Sequence, residues 1–350
     1  MEIRIYNNTL LLQGVVENQT SFLWTRRYDT VGEFEIHVPI TDYTVKLFKR
    51  GNLVTYSGAG EAGVIEDLQY SEDSDLNEIT AKGRFLPCYM DYRVITGTYN
   101  FTGKTEVAMR NIYSRVAAIP LVQLGTLKNY TETVDFQSTY KNLLSYEEKL
   151  ASSAGYGFRF IPDFTAKTIT FDIYKGVNRS KSQTDRAYVE FSENFDNINS
   201  AVYYENDQLL KNVAYIGGEG EGSQRTFVTI GDTSLTGLNR REVFIDARDI
   251  QSEDLTTAEY KAALRERGKE RLKEWVLAQT FECSTMASTN FVYKKDYDVG
   301  DIVTIKKYKW GVSADLRLSE ITEVYEQGTM TVIPVFGDPI PTKINWEDDD

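Results

Sequence analysis

Short runs in which apolar and polar residues alternate fill the first hundred residues. Stretches 3–6, 10–15, 21–27, 33–39, 53–56, 63–70 and 77–82 are divided by Gly, Asn and Asp, which predicts consecutive β-strands. The segment Ser71-Glu72-Asp73-Ser74-Asp75 predicts a polar hairpin tip between the last two. The period then changes. Ala108, Ile112 and Val116 fall at helical spacing, and Leu143, Leu144, Leu150 and Ala151 form the stripe of a second helix over 139–154. Gly155 follows as its stop, since a left-handed residue costs glycine little. Alternation in 158–160 and 168–174 predicts a hairpin, and 188–228 again reads as strands.

The strongest helix signal spans 255–279. Thr256 and Glu259 have capping-box spacing, and Tyr260, Leu264, Leu272, Trp275 and Val276 supply an apolar face. Strands resume at Phe291 and run to Phe336. The pattern divides the chain into a β-domain (1–98), a small α/β domain (99–187), a second β-domain (188–340) with the inserted helix 255–279, and an acidic tail (341–350). The predicted class is α+β and β-rich.

One internal repeat stands out. Gly51-Asn52-Leu53-Val54-Thr55 recurs as Gly300-Asp301-Ile302-Val303-Thr304. Each copy is followed by a strand, a polar turn and a partner strand, ending at Gly83 and Gly337. Two related β-domains in one chain let a ring of few chains imitate a ring of more, so the repeat points to assembly rather than chemistry.

Composition narrows the partners. The net charge of −13 repels phosphates and removes the electrostatic basis for sequence-specific nucleic-acid binding. The longest apolar runs, 116–121 and 332–335, are far short of the ~20 residues of a membrane span. Met1-Glu2-Ile3-Arg4-Ile5-Tyr6 lacks the basic and apolar regions of a signal peptide, so the expectation is folding in a cytosol with Cys88 and Cys283 as free, buried thiols.

Candidate chemistry is thin. The sole histidine, His37, lies on the polar side of the strand Glu33-Phe34-Glu35-Ile36-His37-Val38, and no G-x-S-x-G elbow is present for it to serve. Gly103-Lys104-Thr105 resembles the end of a P-loop, but five residues separate it from Gly97 where the motif has four. Gly217-Gly218-Glu219-Gly220-Glu221-Gly222 fits no dinucleotide fingerprint, and its glutamates would repel a pyrophosphate; a hairpin loop is expected. Asp73-x-Asp75-x-Asn77 opens like a calcium loop but places Glu78 where glycine is needed. No catalytic, cofactor or metal site is therefore expected, and no enzymatic activity.

Several motifs together resemble siphophage and prophage baseplate hub proteins, the module that begins tail-associated lysins and prophage tail endopeptidases. They are Phe22-Leu23-Trp24-Thr25-Arg26-Arg27-Tyr28 with Gly32-Glu33-Phe34-Glu35-Ile36; Gly83-Arg84-Phe85-Leu86 with Asp91-Tyr92-Arg93-Val94-Ile95; Gly176-Val177-Asn178-Arg179-Ser180; Phe191-Ser192-Glu193-Asn194-Phe195-Asp196-Asn197; and Tyr297-Asp298-Val299-Gly300-Asp301-Ile302-Val303. The resemblance implies a homotrimer in the virion, at the tail tip or baseplate, with two tail-tube-like antiparallel β-barrels per chain forming a pseudo-sixfold ring. It implies distal tail, tail tube and tape-measure proteins as partners, a separate lysin or fibre below, and DNA passing through the lumen. With little sequence after Val335-Phe336-Gly337, no wall-cleaving domain is expected. If the repeated hairpins line the channel, Glu66, Glu78, Glu320 and Glu323 are the expected lining acids. Two other classes compete with the hub: a tail-borne carbohydrate-binding module, which the many tyrosines would suit, and a cell-wall hydrolase using paired carboxylates.

Overall fold

The computed structural model describes residues 1–73, 77–116, 119–198, 200–253, 255–272, 275, 277–284, 290–326 and 328–337. Two compact units emerge: Met1–Val202 with Phe281–Pro339, and a second built on Tyr203–Thr280. The acidic tail 341–350 and Asp75 lie outside the described residues.

The first unit opens with β1 (Ile3–Tyr6), β2 (Leu12–Val16), β3 (Ser21–Arg27), β4 (Glu33–Pro39) and the short α1 (Asp42–Leu47). It continues with β5 (Leu53–Tyr56), β6 (Gly63–Val64), β7 (Asp67–Glu72) and β8 (Asn77–Arg84). A lobe follows, of β9 (Val94–Lys104), α2 (Thr105–Val116), β10 (Val122–Leu124), β11 (Thr133–Asn142), α3 (Leu143–Ala154), β12 (Gly157–Asp163) and β13 (Thr168–Tyr174). Then come β14 (Glu190–Ser192) and β15 (Ser200–Asn206), which leads into the second unit. That unit holds β16 (Val213–Gly217), β17 (Phe227–Gly231), β18 (Glu242–Asp246) and α4 (Thr257–Leu272). The chain returns through β19 (Ala278–Ser284) and closes with β20 (Ile302–Lys307), β21 (Val312–Glu326) and β22 (Thr329–Gly337).

The largest sheet has ten strands, in the order β15-β19-β22-β21-β3-β4-β8-β7, with β20 joined to β21 and β14 to β20. Its path is open, so among the described residues it is no closed barrel. One face is apolar because the strands keep a strict period of two: β4 buries Phe34, Ile36 and Val38 and turns Glu33, Glu35 and His37 away. Trp24 is fully buried at the centre, within aromatic contact of Phe22, Phe34, Tyr56 and Phe85. In the second unit, α4 covers one face of the sheet β17-β16-β18 over a core of Ala214, Ile216, Val228, Ile245, Tyr260 and Leu264.

The β-rich class is as expected, and Cys88 and Cys283 are free and buried. Several boundaries differ. Residues 139–142 belong to β11 rather than to the helix, because Asn142 pairs with Val94 and its side chain caps α3 through Ser145 N at 3.0 Å. Gly155 does end that helix, at φ 67°. The helix expected to reach 279 is described to Leu272; Ala278 and Gln279 lie in β19, and Val276 lies outside the described residues. Strand structure resumes after the helix at Ala278, in β19, and Phe291 lies outside the strands. Helix α1 was not expected; a Thr41–Thr44 capping box starts it in what reads as a turn.

Candidate functional site

The repeat is a repeat in hydrogen bonds. Gly51 has φ 86° and Gly300 φ 94°, a left-handed conformation suited to glycine. Gly51 N donates to Ile65 O and Ile65 N to Asn52 O, both at 2.8 Å; Gly300 N donates to Leu318 O and Leu318 N to Asp301 O, both at 2.7 Å. The register beyond is the same in both copies. Leu53 pairs with Val64 as Ile302 pairs with Arg317. In the following hairpins Asp67 pairs with Lys82 as Glu320 pairs with Val335, and Glu72 with Asn77 as Tyr325 with Met330. The two hairpins occupy one sheet, with β3 and β4 between them. Their flanks differ: β5 is joined antiparallel by β1, whereas β20 is joined parallel by β14.

The polar face of this sheet is a lattice of ion pairs around a shallow groove of about 440 Å³ lined by Glu33, Glu35, Glu66, Lys82 and Arg84, among others. Arg27 bridges Glu33 and Glu320, each at 2.7 Å. His37 stands between Glu78 at 2.7 Å and Glu35 at 2.8 Å, and Lys82 holds the other Glu35 oxygen at 2.8 Å. Partial burial would lower the His37 pKa, but the two carboxylates outweigh it and hold the ring above its ordinary value. Burial likewise opposes ionisation of Glu78, yet hydrogen bonds from His37 and Thr20 keep its carboxyl below the usual range. Glu66 is held low chiefly by Arg84, at 2.8 Å, with Tyr92 donating at 2.6 Å.

Three of the four expected lining acids, Glu66, Glu78 and Glu320, therefore sit on this lattice. Glu323 does not. It is 3% exposed, accepts from Tyr56 and pairs with Lys294 at 2.9 Å. Its position on β21 turns it into the apolar layer, so it cannot face a lumen from within this subunit. Burial, reinforced by Glu323, pushes the Tyr56 hydroxyl pKa far up.

The motifs that are far apart in sequence converge beneath the sheet. Tyr28 donates to Gly155 O at 2.9 Å and accepts from Gly176 N at 3.0 Å, while the Arg317 guanidinium lies 4.7 Å from its ring centroid. Asp301 accepts from Val177 N at 2.7 Å and from Arg179 Nε at 2.8 Å. Arg26, almost fully buried, pairs with Glu61 at 2.7 Å and Asp298 at 2.5 Å and donates to Tyr293 at 2.9 Å. This buried arginine was not anticipated, although the signal was present: Phe22, Trp24 and Arg26 share one strand face, and a charge on an apolar face requires a partner. The convergence explains those motifs as structure. Among the described residues no group of three or more His, Cys, Asp or Glu could hold a metal ion.

The chain matches the family model described as Siphovirus ReqiPepy6 Gp37-like protein over residues 2–338. It belongs to that family. None of the curated proteins matches it. Among solved structures, the family member is similar to a tail protein from Neisseria meningitidis MC58, with a TM-score of 0.64, 13% identity and 96% of each chain covered. A 43 kDa tail protein of prophage MuSo2 from Shewanella oneidensis gives 0.62 at 14% identity, over 96% of this chain and 98% of that one. Prophage tail protein gp18 from Listeria monocytogenes EGD-e gives 0.58 at 15%, over 97% and 95%. The likeness is one of fold, shared with three solved proteins that are each described as a tail protein.

Proposed function

We propose that the protein is a structural hub of a phage tail, assembling as a homotrimer that joins tail tube to tip and lets DNA pass. The observation that carries this reading is the matched register of two strand-plus-hairpin modules in one open sheet. One chain presents the hairpin twice, so three chains present it six times, as a tube of sixfold symmetry requires. Closing the open sheet into tube-like barrels then falls to the assembly, with the ion-paired face turned to the lumen. Glu66, Glu78 and Glu320 would line it, each paired with a base that also serves a second carboxylate, so the wall would keep a surplus of acid and would not hold phosphates. Distal tail, tail tube and tape-measure proteins are the partners this role calls for. We assign no catalytic role, because the one histidine serves as a bridge between two carboxylates.

Solution mass and electron microscopy of the purified chain test the reading. A trimeric ring is expected, at least on concentration with the tube protein. A monomer that forms no ring with that protein would overturn it, as would a ring with a strongly positive channel wall.

A further inference from the structure

The connection from β3 to β4 is an arch hung between two fixed points. At its start Tyr28 is buried, with its hydroxyl on Gly155 O at 2.9 Å and Phe158 N on its carbonyl at 3.3 Å. At its end Gly32 leaves no room. A Cβ there would come within 2.4 Å of Thr25 O, and Gly32 O accepts from Phe85 N at 2.8 Å. Asp29, Thr30 and Val31 span the gap.

Side chains hold Val31 from two directions. Its N–H donates to Glu148 Oε1 on α3 at 3.3 Å. Its C=O accepts from Arg27 Nη1 at 3.1 Å, and that guanidinium also bridges Glu33 and Glu320 on the polar face. One residue thus ties the α/β lobe to the ion-pair lattice.

The Arg27 end of this tie keeps its charge at every ordinary pH; the Glu148 end does not. Once ionised, Glu148 meets Asp29 on the arch itself and Asp91 beyond the helical turn Leu86–Met90, with Arg84 of β8 on the other side of the balance. That arginine already serves Glu66 at 2.8 Å and Asp91 at 2.9 Å. Burial above all, with the two acids, outweighs Arg84 and the Val31 hydrogen bond and raises the Glu148 pKa to about 7. Glu147, its neighbour on α3, is fully buried and bears on Tyr113 of α2 instead.

We propose that Asp29–Val31 is a proton-linked latch, closed on α3 while Glu148 carries its proton and lifted when Glu148 ionises. A charged carboxylate in this seam repels Asp29 and turns towards water, and either movement withdraws the acceptor from Val31 N–H. Because Arg27 holds the carbonyl of the same residue, lifting also loosens its grip on the arch. Proton loss in the lobe is then felt at the Glu33–Arg27–Glu320 bridge. For a carboxyl whose pKa is raised on closure, the closed latch is most stable below 4.5 and weakens as pH rises to about 7. The latch lies within one chain and holds whatever the number of chains that assemble.

Hydrogen exchange of the full chain tests it, read at the Val31 amide at about pH 5.5 and about pH 8.5 and corrected for the intrinsic rate. Protection should fall by at least about tenfold towards alkaline pH, as a shift from 4.5 to about 7 implies. The Phe85 amide, held by the fixed Gly32, should keep its protection. Glu148→Gln retains an acceptor without the charge, so its Val31 protection should not change with pH. Asp29→Asn takes the repelling charge off the arch and should narrow the fall. Protection of Val31 that is independent of pH in the natural chain would overturn the latch. So would a fall of full size in Glu148→Gln, or an equal fall at Phe85, which would mean a general loosening of the fold.

Discussion

Gly300 lies directly against the ring of Tyr28: a Cβ at that glycine would come within 2.3 Å of the ring. Its counterpart in the repeat, Gly51, has the same left-handed backbone and nothing within 4 Å. Two positions with one conformational requirement thus differ in packing, and alanine separates the two costs. Gly51→Ala should cost about 1 kcal/mol, the left-handed strain alone. Gly300→Ala should cost about 3 kcal/mol or more, because the ring must also move. Urea denaturation of both variants measures the difference, and equal losses would refute it.

Glu147 is fully buried on α3, and neither carboxylate oxygen meets a hydrogen-bond partner among the described residues. Burial pushes its pKa well above the ordinary carboxyl value, so the folded state holds it neutral. A raised pKa means stability that is full at low pH and declines as pH rises above 4.5, where the unfolded chain ionises. Glu147→Leu should remove that decline and raise stability at neutral pH by about 2 kcal/mol. Thermal melts of both proteins at acid and neutral pH check the sign.

The His37 bridge behaves differently at its two ends. Because the His37 pKa is raised, its contribution is full below 6.5 and is lost as pH rises through the higher folded value. Glu35 and Glu78, held low, contribute above 4.5 and lose their share as pH falls through their depressed values. His37→Gln should therefore be less stable than wild type between those limits, by about 1 kcal/mol after allowance for partial exposure. The gap should close at alkaline pH. A pH-independent difference in denaturation midpoint would exclude the ionic bridge.

Neither cysteine should behave as a reactive thiol. Burial drives the Cys88 pKa up to about 12 and that of Cys283 higher still. An aromatic disulfide reagent should label both only as fast as the protein opens, with rates that rise in denaturant. Rapid labelling in native buffer would contradict this.

Period-two alternation was enough to locate β3, β4 and β8, because an alternating strand has one way to bury its apolar side. It also placed His37 correctly among the acids. The repeat could be seen in Gly51 and Gly300 because both need a left-handed backbone that few residues supply. That both hairpins share one sheet could not be seen, since pairing of β3 with β21 joins residues some three hundred positions apart. Glu320 and Glu323 could not share a face for a simpler reason: they lie three apart in the regular part of β21, and strand alternation sends them to opposite sides.

The unlike flanks of β5 and β20 bear on stoichiometry. Around a threefold ring the hairpins would repeat every sixth of a turn, while antiparallel and parallel flanks would alternate. A neighbour that touches only hairpins would meet six equivalent seats, and one that touches the flanks would meet three of each kind. The same subunit could thus sit beneath a six-membered tube and hand on a three-membered tip, converting one symmetry into the other without an adaptor.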